Sequence, residues 1–147
     1  MQSTRTLVLH IDDDIEFASV LQERLRPLGY DTVPLHDPTM TEAHLQTGKY
    51  RLVLLDNDMP YISGQELLPR MKSYDGGLPV IMVTDLISLA NAMELQQLGA
   101  EACFFKPVAD LARLTAALDQ AVAKLDCWWT SLEELKELRA AAELSRV

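Results

Sequence analysis

Four short places in this chain gather residues able to do chemistry. Asp12, Asp13 and Asp14 follow the apolar run 7–11, and Asp56, Asn57 and Asp58 follow the run 52–55. Thr84 and Asp85 follow 79–83, and Lys106 with Pro107 follows 102–105. Carboxylates brought together repel one another, and each has a raised pKa unless a cation intervenes. A hard divalent ion answers that need, since Mg²⁺ takes one or two carboxylates, some waters and a phosphate oxygen. Asp13 and Asp56 are the expected direct ligands, Asp12 acts through water, and the backbone carbonyl of Asp58 adds one more. Lys106 offers a positive charge to Asp56 or to a phosphoryl group, and Thr84 offers a hydroxyl donor. Cation, ammonium and hydroxyl together suit phosphoryl transfer to a carboxylate, where positioning and charge stabilisation do nearly all the work. Asp56 is then the nucleophile, and the product is an aspartyl phosphate.

The elements that must position these residues are legible as punctuation. Five short runs, 7–11, a weaker 31–35 (DTVPL), 52–55, 79–83 and 102–105, lack strict alternation and are mostly rich in Val, Ile and Leu, which suits strands covered on both faces. Segments near 15–27, 38–47, 65–74, 86–98 and 109–126 carry apolar residues at helical spacing, as in Phe17, Val20, Leu21 and Leu25. Gly29, Gly48, Gly76 and Gly99 each follow a helical pattern, where a left-handed residue is wanted, and Asp14 and Asp37 are N-cap candidates. Pro69 falls inside the third helical segment and predicts a late start or a kink. Strict β-α alternation implies an α/β domain, a parallel sheet with right-handed crossovers and helices on both faces. Sites in such sheets form at the carboxyl ends of the strands. All the reactive residues above therefore converge on one rim.

Composition bounds the rest. With 147 residues the chain is long enough for one domain with a proper core. A net charge of −9 argues against non-specific binding to nucleic acid or anionic lipid. Cys103 and Cys127 lack metal-ligand spacing and read as free buried thiols in a reducing compartment. No run is long enough to span a bilayer or to serve as a signal peptide, so a cytoplasmic protein is expected.

HIDDD (10–14), LLDNDMPYISG (54–64), VT (83–84) and FFKP (104–107) occur in the order and at the spacing of a known family. With this set, the chain resembles the response-regulator receiver domains of two-component signalling, of the chemotaxis type, over residues 5 to 125. The resemblance implies a flavodoxin-like (βα)5 fold with a doubly wound five-stranded sheet in order 2-1-3-4-5. It also implies phosphorylation of Asp56 by a sensor histidine kinase or a phosphotransfer protein, dependence on Mg²⁺, and a cis Lys106–Pro107 bond. Such a domain signals through a change of its surface, with self-directed phosphotransfer and slow autodephosphorylation rather than enzymatic turnover. Its output protein or domain is not specified by the sequence.

Two positions depart from the family pattern. Members usually carry Tyr or Phe three residues before the lysine, where the ring moves in as the threonine grips phosphate; here that switch position is Cys103. Asp85 stands where a small residue normally follows the threonine, and a carboxylate there would alter the lifetime of the phosphoryl group. Asp58 and Leu86 occupy positions that tune this lifetime in the family, with no direction assignable. These departures keep a phosphorylation-independent binding module in view. Asp56-Asn57-Asp58 also imitates the DxD motif of haloacid-dehalogenase-type phosphatases, but that family places DxD on its first strand, before the lysine and the acidic metal pair, unlike the order here. His10, inside the first strand, reads as a satisfied core histidine, and Tyr61 as surface.

The tail CWWTSLEELKELRAAAELSRV lies beyond a receiver domain of residues 1–126, forming an extension over 127–147. Ser131 with Glu134 makes a capping-box pattern, which predicts an extra helix starting at about 132 with Trp128 and Trp129 as a hinge. The competing pattern is a three-four repeat through Leu111, Leu114, Leu118, Ala121, Leu125, Trp128, Leu132 and Leu135, which suits one continuous helix pairing with a second chain as a homodimer. Arg139 interrupts that seam, and the separate helix is preferred. No DNA-binding helix-turn-helix fits in this remainder.

Overall fold

The computed structural model describes residues 5–85 and 87–146; Leu86 lies outside them. The apolar runs form five parallel strands, β1 (Thr6–Ile11), β2 (Tyr30–Leu35), β3 (Leu52–Leu55), β4 (Val80–Thr84) and β5 (Ala102–Phe105). Their order across the sheet is β2-β1-β3-β4-β5, the doubly wound arrangement. Pro34 fits because β2 is an edge strand, where a missing N–H breaks no ladder bond. The helices are α1 (Ile15–Leu25), α2 (Thr41–Leu45), α3 (Gly64–Tyr74), α4 (Leu89–Gln97) and α5 (Leu111–Leu144).

Successive strand residues feed two cores, which is why the runs show no polar alternation. Leu9, Ile11, Val53, Leu55, Val80 and Met82 pack with Leu67, Leu68 and Met71 of α3 and Leu95 of α4. Val8, Leu52, Leu54, Ile81 and Val83 pack on the other face with Leu21 and Leu25 of α1 and Leu114 and Leu118 of α5. With both faces filled by hydrocarbon, polar side chains are tolerated mainly past the strand ends.

Several boundaries differ from expectation for local reasons. Pro27 has no N–H to continue α1, so the helix stops at Leu25 and tightens into a 3₁₀ turn over Arg26–Leu28. Ser88 caps α4 by accepting from the Asn91 N–H, delaying that helix to Leu89. α3 starts on time at Gly64 despite Pro69, because the Ser63 hydroxyl caps it at the Glu66 N–H. Asp14 and Asp37 do cap, accepting from the N–H groups of Phe17 and Thr39. Gly29, Gly48 and Gly99 take positive φ, but Gly76 does not: the chain leaves α3 through an extended Asp75 whose carboxylate accepts from the Gly77 N–H.

The separate C-terminal helix does not form. α5 runs unbroken for 34 residues, through both tryptophans and across the 126/127 boundary. Ser131 does not cap; its hydroxyl donates back to the Cys127 carbonyl, and Thr130 does the same to Asp126. With no Gly or Pro between Leu111 and Leu144, nothing stops propagation. Cys127 is consequently exposed and Cys103 only half-buried, so neither is the buried thiol expected. Among the described residues no helix is long and apolar enough to cross a membrane.

Candidate functional site

β1 and β3 lie side by side at the centre of the sheet, in a register that pairs Ile11 with Leu55. The residues that follow, Asp12 and Asp56, therefore leave the sheet together, and the Asp56 N–H donates to the Ile11 carbonyl at 2.9 Å. Both carboxylates are buried, whereas Asp13 is exposed. One oxygen from each of Asp12, Asp13 and Asp56 falls within 4.8 Å of the others.

β5 delivers the cation. The Lys106–Pro107 peptide is cis, and Lys106 Nζ lies 2.7 Å from Asp12 Oδ2 and 3.5 Å from Asp56 Oδ2. Nζ also sits 4.5 Å from the centroid of the Phe17 ring on α1, a cation–π contact. β4 delivers Thr84, which is buried and accepts from the Asn57 N–H through its hydroxyl at 3.3 Å. Asp58 is exposed, and its N–H donates to Asp56 Oδ1 at 3.4 Å. Asp12, Asp13, Asp56, Thr84 and Lys106, from four strand ends, thus meet in one place, while Asp14 turns away to cap α1. Asp85 is exposed beside them, and its charge contributes to the site.

The charges do not balance. Burial pushes the Asp56 carboxyl up, the Asp12 charge pushes it further, and Lys106, Thr84 and the Asp58 N–H oppose this only in part, leaving it at about 6. Burial also works against ionised Asp12, but contacts with His10, Lys106 and the Asp14 N–H outweigh it and hold that carboxyl below the usual range. Burial likewise disfavours charged Lys106, yet Asp12, Asp56 and Asp85 more than compensate and raise its pKa. One ammonium group faces several carboxylates, a donor set of hard oxygens that fits a divalent cation.

Three contributors were not singled out from sequence. Gly64 is one: a Cβ there would lie 2.3 Å from the Asp56 carbonyl oxygen and 2.9 Å from Asn57 Cα, so only glycine lets α3 start against the Asp56 backbone. The Gly64 N–H donates to the Asn57 carbonyl and the Gln65 N–H to Asn57 Oδ1, tying the loop to the helix. Phe17 is the second, as the wall for Lys106; its helical spacing marked it only as core. His36 is the third, its Nδ1 2.9 Å from the Asp12 carbonyl oxygen. The expectation for His10 holds for burial alone. Its ring is fully buried edge-on to Phe17, its nitrogens lack hydrogen-bond partners, and Nε2 lies 3.5 Å from Asp12 Oδ2. At the switch position, Cys103 is paired with Met82 of β4, and burial raises its thiol pKa.

The model of the response regulator receiver domain matches residues 8–119. The chain belongs to the response regulator receiver domain family. Receiver domains are signalling domains that bind Mg²⁺ at an acidic pocket and partner with a histidine kinase or phosphotransfer protein. This receiver is 34% identical over 122 residues to the uncharacterized transcriptional regulatory protein YkoG of Bacillus subtilis (strain 168), a match covering 81% of the chain and 54% of that protein. It is 30% identical over 116 residues to the transcriptional regulatory protein ZraR of Escherichia coli (strain K12), covering 79% of the chain and 26% of ZraR. The chain thus spans about half or less of these two relatives. Among solved structures, a CheY-like response regulator receiver domain protein from Methanospirillum hungatei JF-1 is 27% identical with a TM-score of 0.73, covering 82% of this chain and 98% of that one. A response regulator receiver protein from Pseudomonas putida is 25% identical with a TM-score of 0.73, covering 80% and 98%.

Proposed function

We propose that this receiver accepts a phosphoryl group on Asp56 and signals through the resulting change of its surface. The observation that carries the reading is the buried Asp56 carboxylate with Lys106 Nζ 3.5 Å away and oxygens of Asp12 and Asp13 within 4.8 Å. An Asp56 oxygen attacks phosphorus, the new O–P bond forms, and the P–N bond of a phosphohistidine breaks, its electron pair staying with the imidazole. Asp12, Asp13, Asp56 and the Asp58 backbone carbonyl would hold Mg²⁺, which when bound neutralises charge on the phosphoryl oxygens. Lys106 and Thr84 bind the phosphoryl group as it arrives. At rest Lys106 sits closer to Asp12 than to Asp56, so it is available to swing toward the new charge. The donor is a histidine kinase or phosphotransfer protein in the cytoplasm, and the output is another protein or domain.

The test is incubation with Mg²⁺ and acetyl phosphate. A hydroxylamine-labile adduct on Asp56, absent from Asp56→Asn and without Mg²⁺, is expected; no adduct at any donor concentration overturns the reading. Beryllofluoride binding is better followed by ¹⁹F resonance than by tryptophan emission, because residue 128 lies about 25 Å down α5 from residue 111. A phosphorylation-independent binding module is the second reading, favoured by Cys103 at the switch position and by Asp85. Asp85 bears on lifetime as well: its charge repels phosphate or orients a hydrolytic water, so Asp85→Ala is expected to change the dephosphorylation rate, and an unchanged rate refutes that role.

A further inference from the structure

α5 is one helix with two environments. Its three-four repeat buries Leu114 and Leu118 completely, and Ala121 nearly so, against the sheet. Past the base of the domain every described residue from Asp126 onward is exposed, including Trp128 at 64%, Leu132 at 46% and Leu135 at 45%. One stripe therefore seats the domain in its first half and faces water in its second. The projecting part adds about 28 Å of helix. Unsupported helices of this length are marginal in water, and an apolar stripe that runs from Leu125 to Leu135 before Arg139 breaks it marks a contact surface.

The spacing names the occupant. Leu125, Trp128, Leu132, Leu135, Arg139 and Ala142 are separated by steps of three, four, three, four and three, which read the same in both directions. Laid antiparallel on a copy of itself, the stripe matches about a midpoint between Glu133 and Glu134. Leu125 then meets Ala142, Trp128 meets Arg139, and Leu132 meets Leu135, each pair occurring twice. Large meets small, and a guanidinium meets an indole face. Lys136, beside the stripe, comes within reach of Trp129 of the second copy. In a parallel pair Arg139 would instead face its own copy, setting like charge against like charge.

The placement of the domain on α5 favours the same direction. The face that seats each domain is the face that would meet the partner. A parallel pair would place both domains at the same height on the shared side, although paired helices lie only about 8–10 Å apart. The antiparallel pair sends the domains to opposite ends. There the end of the second helix would reach a 430 Å³ cleft between the domain base and α5, whose lining includes Lys72, Pro79, Glu101, Lys124, Leu125 and Trp128. Lys124 pairs there with Glu101 at 3.6 Å, which leaves Lys72 as the excess positive charge that Glu143 and the partial negative charge of that helix end would meet.

We infer that residues 125–144 are a homodimerisation element through which two copies of this chain pair as antiparallel helices, with Arg139 of each on Trp128 of the other. This stands apart from the phosphoacceptor reading and is measured without Mg²⁺ or phosphodonor. Sedimentation of the full chain over micromolar concentrations is expected to show a dimer, and Leu132→Asp with Leu135→Asp a monomer of unchanged receiver fold by circular dichroism. Arg139→Glu is expected to raise the dissociation constant about tenfold. Nitroxides on Ser145→Cys, in a Cys103→Ala and Cys127→Ala background, should lie about 35 Å apart. A monomer at all concentrations overturns the inference and leaves the stripe to a different protein, and a short label distance overturns it in favour of a parallel pair.

Discussion

Asp56 is held where its own charge is unwelcome, and this has a consequence for stability. Its carboxyl is raised to about 6 in the folded chain, chiefly by burial and then by Asp12. A raised acid means the folded state binds more protons than the unfolded state between roughly pH 4 and pH 6, so stability falls as pH rises through that window and stays low above it. Asp56→Asn in metal-free buffer is therefore expected to stabilise the chain at pH 7.5 by about 1–3 kcal/mol, with the gain gone near pH 4. Urea unfolding at the two pH values checks this, and an Asn variant no more stable at pH 7.5 contradicts it. Gly64 sits at the other end of the same loop under a different constraint. A Cβ would strike backbone rather than a movable side chain, so Gly64→Ala should cost about 2–4 kcal/mol. Because the displaced backbone is that of Asp56 and Asn57, acetyl phosphate labelling should fall with the melting temperature.

At the scale of elements, exposure separates the two thiols. Cys127 lies on the projecting part of α5, while Cys103 is half-buried in β5 with its thiol pKa raised by burial. A disulfide reagent should modify Cys127 at least about tenfold faster than Cys103 in the native chain, and at similar rates in urea. The exposure of Cys127 was not legible from sequence, because its apolar neighbours, Trp128 and Trp129, suggested cover that the domain does not provide. β3 and β4 were legible because burial on both faces excludes polar residues until the chain leaves the sheet, whereas the edge strands β2 and β5 are only partly covered; the same exclusion put Asp12, Asp56, Thr84 and Lys106 at the strand tips. What escaped were properties that depend on a neighbour distant in sequence. Gly64 is needed because of the Asp56 carbonyl, and Phe17 matters because Lys106 arrives over it. The continuity of α5 escaped for the opposite reason. A local capping pattern at Ser131 competed with helix propensity, and Ser131 bonded back to Cys127 instead.

At the scale of the whole molecule, a net charge of −9 makes any salt stabilising to some degree, so a metal effect must be separated from screening. Screening acts on all exposed carboxylates, and divalent binding acts at the cluster of Asp12, Asp13 and Asp56. A cation that binds only the folded state adds stability that grows with the logarithm of its concentration. Mg²⁺ at about ten times its dissociation constant should raise the melting temperature by about 3–6 °C beyond NaCl of equal ionic strength. Asp13→Asn should remove the excess and leave the NaCl response intact, because Asp13 is exposed and its loss changes the net charge by one among many. Equal responses to the two salts in the unaltered chain would mean that the acidic rim is a solvated surface and not a cation site.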